Sequence, residues 1–215
     1  MTNREIRIKR VRSFFIEAAQ TVIEEEGLDG ATVRKIAARA GYNGATLYNY
    51  FRDLNHLLAL ALSHYMGEYI EMILSRLRGD EAPFELYQLD WFVYTEESFK
   101  HPKEYYYLFF KDPKMDLSEV YDEYFAKHPA LFERLPKGFQ SMCRERNQYT
   151  RDYAFLRTEF PERSESMLQR ISDMNILMYN AMLGNLAQGA PDAAYGRYVA
   201  RFKEYFMVNT RDLRV

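Results

Sequence analysis

Apolar positions recur at steps of three and four along nearly the whole chain, and no segment alternates as a half-buried strand would. The pattern predicts an all-α fold. Val11, Phe14, Phe15, Ala18 and Val22 share one face of a first helix, which Gly27 ends. Glu24, Glu25 and Glu26 near its end oppose the helix dipole and read as a solvent-facing terminus. Thr32 suits the N-cap of a second helix with the stripe Val33, Ile36, Ala37 and Ala40. Gly41 breaks the chain, and Asn43 caps a short third helix that turns Leu47 and Phe51 inward. Asp53 or Asn55 then caps a long helix whose leucines run from Leu57 to Leu77, closed by Gly79-Asp80.

Farther along, Pro83 opens a helix over 84–100, and Pro102 opens another that ends near Phe110, where Asp112-Pro113 interrupts. Ser118 to Lys127 reads as helix. The stretch with Pro129 and Pro136 reads as broken. A helix is expected from about Lys137 to Leu156, with Pro161 closing that segment, and a strong one from Glu162 to Leu186. Gly189-Ala190-Pro191 reads as a turn, and Asp192 as the cap of a last helix reaching about Asn209.

Charge divides the chain. Residues 1–52 hold nine Lys/Arg against six Asp/Glu, while the whole carries a formal net charge of −2, so a basic head precedes an acidic body. Arg4, Arg7, Lys9, Arg10 and Arg12 crowd the first twelve positions, either as an arm for a phosphate backbone or as a solvated, frayed end. Aromatic residues make up 16% of the chain and concentrate, with most of the ten Met, after position 60. That composition fills large cores and also lines pockets for apolar or planar ligands. No stretch has the roughly 20 uncharged apolar residues of a membrane span. The basic N-terminus has no apolar run behind it, and the single cysteine, Cys143, has no disulfide partner within the chain. These features fit a cytoplasmic protein.

The informative segment is TVRKIAARAGYNGATLYNYF, Thr32 to Phe51: two short helices joined by a tight turn at Gly41-Tyr42. Arg34, Lys35 and Arg39 decorate the first helix. The second presents Asn43, Gly44, Thr46 and Asn49, with Tyr48 at the edge, and no acid. Asn can bond base edges, Thr can meet a thymine methyl, and a phenol can reach phosphate oxygen, so such a face suits a major groove.

The pattern T-x-x-x-I-A-x-x-A-G followed by T-L-Y-x-Y-F, with Phe14-Phe15 before it and a leucine-rich helix after it, resembles the N-terminal domain of the TetR/AcrR family of transcriptional regulators over residues 8–70. The resemblance implies a helix-turn-helix at 32–51 and an effector-binding, dimerising helical domain over 71–215. It also implies a homodimer on a palindromic operator. Thr32 and Arg34 would touch DNA backbone. Asn43, Gly44, Ala45, Thr46, Tyr48 and Asn49 would lie on the groove, and Ile36, Ala37, Leu47 and Phe51 would form the head core. Two departures stand out: Leu54 occupies a position where the family often has lysine, and Gly44 offers no side chain where a long polar one is common.

In the body, the segment Phe99 to Phe110, with His101-Pro102 followed by Tyr105, Tyr106 and Tyr107, is similar to one found in many bodies of this family. Trp91, Tyr94, Tyr105, Phe109, Met174 and Met178 are candidates to line a pocket for a hydrophobic or aromatic effector. Ordinary core packing is the competing reading for each. The helices spanning about 162–209 read as a dimerisation pair completing a four-helix bundle across a twofold axis. An effector that prefers a different spread of the heads would weaken operator binding, with the 57–77 helix as transmitter.

Little points to catalysis. The four histidines, His56, His64, His101 and His128, form no paired metal motif, and no glycine-rich phosphate loop appears, so neither cofactor nor metal is expected. Cys143 lies beside Arg144 and Arg146, which would favour a reactive thiolate, whereas a buried thiol would be inert. A second class remains: the same fold with specific DNA binding lost, acting through a protein partner.

Overall fold

The computed structural model describes residues 2–111, 116–189 and 195–214, and every regular element among them is helical. The chain divides into two compact units, Met1–His64 and Tyr65–Val215.

The first unit holds α1 (Asn3–Glu26), α2 (Val33–Ala40), α3 (Gly44–Leu47) and α4 (Leu54–Ala61). Every one of these helices starts on a side-chain cap. Thr2 and Glu5 form a reciprocal capping box, while Thr32, Asn43 and Asp53 accept the backbone N–H of Lys35, Thr46 and His56. The expected arm is thus ordered helix from Asn3 onward, with Arg4, Arg7, Lys9 and Arg10 exposed along it. Val11, Phe15, Ala18, Ala19 and Val22 are buried; Phe14 lies at the edge of that face, 38% exposed beneath the Arg10 guanidinium. The expected 57–77 helix is broken at Leu62. There the Ser63 hydroxyl donates to the Leu60 carbonyl at 2.8 Å and His64 Nδ1 pairs with the Ala61 carbonyl at 3.0 Å, local bonds that compete with the helical ladder.

The second unit contains α5 (Ser63–Arg76, which begins at the end of the first), α6 (Pro83–Ser98) and α7 (Pro102–Tyr106). A π-helical turn, Tyr107–Lys111, extends α7. There follow α8 (Leu117–Phe125), α9 (Pro129–Arg134), α10 (Lys137–Cys143), α11 (Gln148–Glu159), α12 (Glu165–Ala187) and α13 (Tyr195–Asn209). Proline opens α9 because its missing N–H costs nothing at a first helical position, so the stretch expected to be broken is a helix. The expected 137–156 helix is two: Asn147 leaves helical geometry, caps α11 through the Thr150 N–H at 3.0 Å, and Arg146 gives its carbonyl to the Leu117 N–H at 2.9 Å. Asp112-Pro113 and Ala190, Pro191 and Asp192 lie outside the described residues; Gly189, at φ +98°, follows α12.

Aromatic packing dominates the body core. Trp91 sits 5.3 Å from the Phe202 ring and 5.6 Å from Tyr179, and Tyr94 stacks on Tyr179 at 4.9 Å. These contacts join α6 to both α12 and α13. Fully burying such rings stabilises by about 1.5–3 kcal/mol each relative to exposure.

Candidate nucleic-acid interface and effector cavity

In the head, Gly41 takes the left-handed conformation (φ +79°, ψ +26°) that a non-glycine residue adopts only at a cost. Its neighbour Tyr42 returns an N–H to the Ala37 carbonyl at 2.9 Å, closing a Schellman-type turn. The turn is pinned to α1: Phe15 stacks on Tyr42 with centroids 5.4 Å apart and meets Phe51 edge-on at 5.9 Å. Ile36, Ala37, Leu47 and Phe51 are all buried. Beyond Leu47 the helix tightens, with the N–H groups of Asn49 and Tyr50 reaching carbonyls three residues back.

The outer face is left open. Thr32, Arg34, Asn43, Ala45, Tyr48 and Asn49 are exposed, while Gly44 and Thr46 are half-buried. Tyr48 is 58% exposed, which is unusual for so large a ring in a packed head. The Asn43 carboxamide oxygen is spent on the cap, accepting both the N–H and the hydroxyl of Thr46 at 3.0 Å, so its NH2 is what can still donate outward. A Cβ at Gly44 would come 3.3 Å from a Val33 methyl, a tight contact but not a blocked one. Two cations of α2 are spoken for: Lys35 pairs with Glu26 and Arg39 with Glu25. The glutamates that close α1 therefore anchor α2, a role their sequence position did not reveal.

In the body, a cavity of about 450 Å³ opens between the α7 segment with its π turn and α8, α11 and α12. Tyr106, Phe109, Phe110 and Leu117 supply apolar walls, and Gln148 and Asn180 supply polar ones. A π-helical turn is rare and recurs at functional sites; here it carries three of the lining residues, Leu108, Phe109 and Phe110. Beside it lies a second, much smaller void of about 10 Å³, bordered by Asp90, Trp91, Tyr94, Gln148, Arg151 and Asp152 among others.

The polar groups around that small void are fully buried. Asp152 accepts from the Tyr87 hydroxyl at 2.9 Å and from the Trp91 indole N–H at 2.8 Å, and burial still pushes its carboxyl up to about 6. Asp90 accepts from the Tyr69 hydroxyl; burial pushes it up to about 7 against that bond. Arg151 donates to the Tyr121 hydroxyl at 2.6 Å and lies 4.4 Å over its ring. Asn175 links Tyr87 to Asn209.

The family described as bacterial regulatory proteins, tetR family, matches residues 15–61, the segment whose turn and caps are set out above. The likeness to the TetR family is thus placed on the head. An uncharacterized HTH-type transcriptional regulator, YvdT of Bacillus subtilis (strain 168), is 36% identical over 66 residues, covering 31% of this chain and 34% of that protein. The HTH-type transcriptional regulator BetI of Escherichia coli (strain K12 / DH10B) is 35% identical over 68 residues, 32% of this chain and 35% of its own. The chain thus spans about a third of the length of these curated relatives. Thermus thermophilus FadR, a TetR-family repressor solved with lauroyl-CoA, matches in fold at a TM-score of 0.57 with 19% identity, over 93% of this chain and 91% of that one. The two curated relatives named are described as transcriptional regulators.

In the body, the expected pocket residues fall in different places. Phe109 lines the 450 Å³ cavity, whereas Trp91 and Tyr94 border the small void. Tyr105 is buried against both Tyr94 and Phe109, with ring centroids 5.7 and 6.0 Å away. Met174 is 46% exposed and Met178 half-buried, and neither lines a cavity described here. The sequence reading missed Asp90, Gln148, Arg151 and Asp152. One signal was present: Asp90 sits four residues after Leu86 and three after Tyr87 on a buried stripe, where an acid needs a reason. Cys143 is buried and its thiol is pushed up to about 12 by that burial, the inert alternative rather than the thiolate. Among the described residues no three His, Cys, Asp or Glu side chains are placed to share a metal ion, and no helix is long and apolar enough to cross a membrane.

Proposed function

We propose that this chain is a cytoplasmic, ligand-responsive transcriptional repressor that binds a palindromic operator as a homodimer. The observation that carries this reading is the acid-free face of exposed Asn43, Ala45, Tyr48 and Asn49 with half-buried Thr46, held at a capped third helix behind a left-handed glycine turn. Thr32 and Arg34 flank it as backbone contacts, and Gly44 lets the helix approach a groove closely. With little side chain at position 44, sequence-dependent DNA shape contributes more of the specificity.

The dimer reading rests on α12 and α13. Met174, Leu177, Tyr205 and Val208 leave an apolar face open on these two helices, with Val208 63% exposed. Pairing that face about a twofold axis covers it and sets two heads on two half-sites. The effector reading rests on the 450 Å³ cavity, whose size and mixed walls suit a small, mainly apolar molecule. An effector that prefers one conformation of the body lowers operator affinity by its differential binding, typically about 1–3 kcal/mol.

Selection of bound duplexes from a random pool by the purified protein at near-physiological salt tests this function. Recovery of a palindrome is the expected result. Failure to enrich any sequence overturns operator binding and favours the second reading, a family fold that acts through a protein partner, for which Leu54 and Gly44 are the supporting departures.

A further inference from the structure

Arg151 is only 2% exposed, yet two of its guanidinium nitrogens, Nε and Nη1, have no hydrogen-bond partner. Its one bond goes to a neutral phenol, that of Tyr121. An arginine keeps its charge, so burial with idle donors is expensive unless something else meets them. The two carboxyl groups nearby are already engaged, Asp152 by Tyr87 and Trp91, and Asp90 by Tyr69. The adjoining void, about 10 Å³, is at the lower limit for a single water, roughly 10–15 Å³.

Gln148 makes the connection. It is 6% exposed and borders both the small void and the 450 Å³ cavity, and its side-chain oxygen also has no partner. Phe109 shares the same wall: it lines the large cavity, and the Arg151 guanidinium lies 5.7 Å from its ring centroid. Gln148 is common to the walls of both spaces, and its displacement would break no bond at that oxygen.

We propose that Arg151 is the head-group receptor of the effector site, and that the effector is an apolar molecule carrying a carbonyl or carboxylate oxygen at one end. This rests on the effector reading above. The apolar part fills the large cavity against Phe109, Phe110 and Leu117. The oxygen passes Gln148 and accepts from one of the idle donors, Nε or Nη1, which lie on different edges of the guanidinium plane.

The test is titration calorimetry with three probes that share a phenylethyl body: 3-phenylpropanoate, 4-phenyl-2-butanone and isopentylbenzene. The wild type, Arg151→Met and Arg151→Lys are compared in the full chain. The expected result is that Arg151→Met weakens the acid and the ketone at least tenfold and leaves the hydrocarbon within twofold. Arg151→Lys, which keeps the charge and loses the planar guanidinium donors, guards against a misfolded Met variant and weakens the ketone several-fold, again without moving the hydrocarbon. Tighter binding of the acid than of the ketone marks an anionic effector, and the reverse marks a neutral carbonyl; both support the acceptor head. Hydrocarbon binding together with acid and ketone affinities that ignore Arg151 overturns the proposal and spares the cavity. No binding by any of the three, the hydrocarbon included, overturns the cavity reading and the proposal with it.

Discussion

Arg12 on α1 lies over Phe51: its guanidinium carbon is 4.7 Å from the ring centroid, and Nη1 donates to the neighbouring Tyr50 carbonyl at 2.5 Å. One half-buried cation thereby fixes the segment that follows α3. It was grouped by sequence with the four basic residues before it, but its charge is used inside the head. Arg12→Ala is expected to destabilise the protein by about 1–3 kcal/mol, the combined range of a cation–π contact and a charged hydrogen bond. Urea unfolding followed by circular dichroism measures it. A change within error would show that the contact is incidental.

The groove face makes a separate demand. Tyr48→Ala combined with Asn49→Ala removes exposed atoms only, so the melting temperature is expected to hold while affinity for a selected operator falls at least tenfold. Full-strength binding by this pair would move the interface elsewhere.

Exposed apolar side chains on α12 and α13 set the association state under the proposed function. Leu177→Glu with Val208→Glu places charges on that face, and sedimentation velocity is expected to show monomers where the wild type is dimeric. Equal sedimentation of the two proteins would place the dimer contact on another surface.

Asp90 gives the body a pH signature. Its folded carboxyl titrates near 7 because burial disfavours the charge, above the ordinary value of 3.8. Between those two values the folded chain holds a proton that the unfolded chain has lost, so this group's contribution to stability falls as pH rises through the interval. Below it both states are protonated. Asp90→Asn stays neutral and can still accept from Tyr69. Wild-type stability relative to this variant should therefore increase as pH is lowered from 8 to 5, as measured by denaturant midpoints; a difference that stays flat with pH would mean that Asp90 titrates normally.

Cys143 is expected to resist Ellman's reagent in the native protein at pH 8 and to react fully once unfolded, because its thiol is both buried and held near 12. Rapid labelling of the folded chain would restore a redox role.

The head was legible because its signals are local. Thr32, Asn43 and Asp53 cap helices, and Gly27 and Gly41 end them, through bonds between residues three to five positions apart. The body was less so. Leucines lie on both sides of Leu62, so the apolar pattern continues where the helix does not, and Asn147 reads as one polar residue among several until its cap is seen. The Asp90, Arg151 and Asp152 cluster depends on α6 meeting α11, a juxtaposition that no single segment encodes. Ion pairs from Glu25 and Glu26 to α2 escaped for the same reason.

The row of caps in the first unit also bears on how the chain is made. Four helices in succession carry their own start signals within three residues, and the Phe15, Tyr42 and Phe51 cluster closes over fewer than forty. Such short-range order gives a low contact order and quick folding. The head leaves the ribosome before α12 and α13. It can therefore take shape while α12 and α13 are still untranslated, so that the element proposed to read DNA stands ready before the surface proposed to pair it exists.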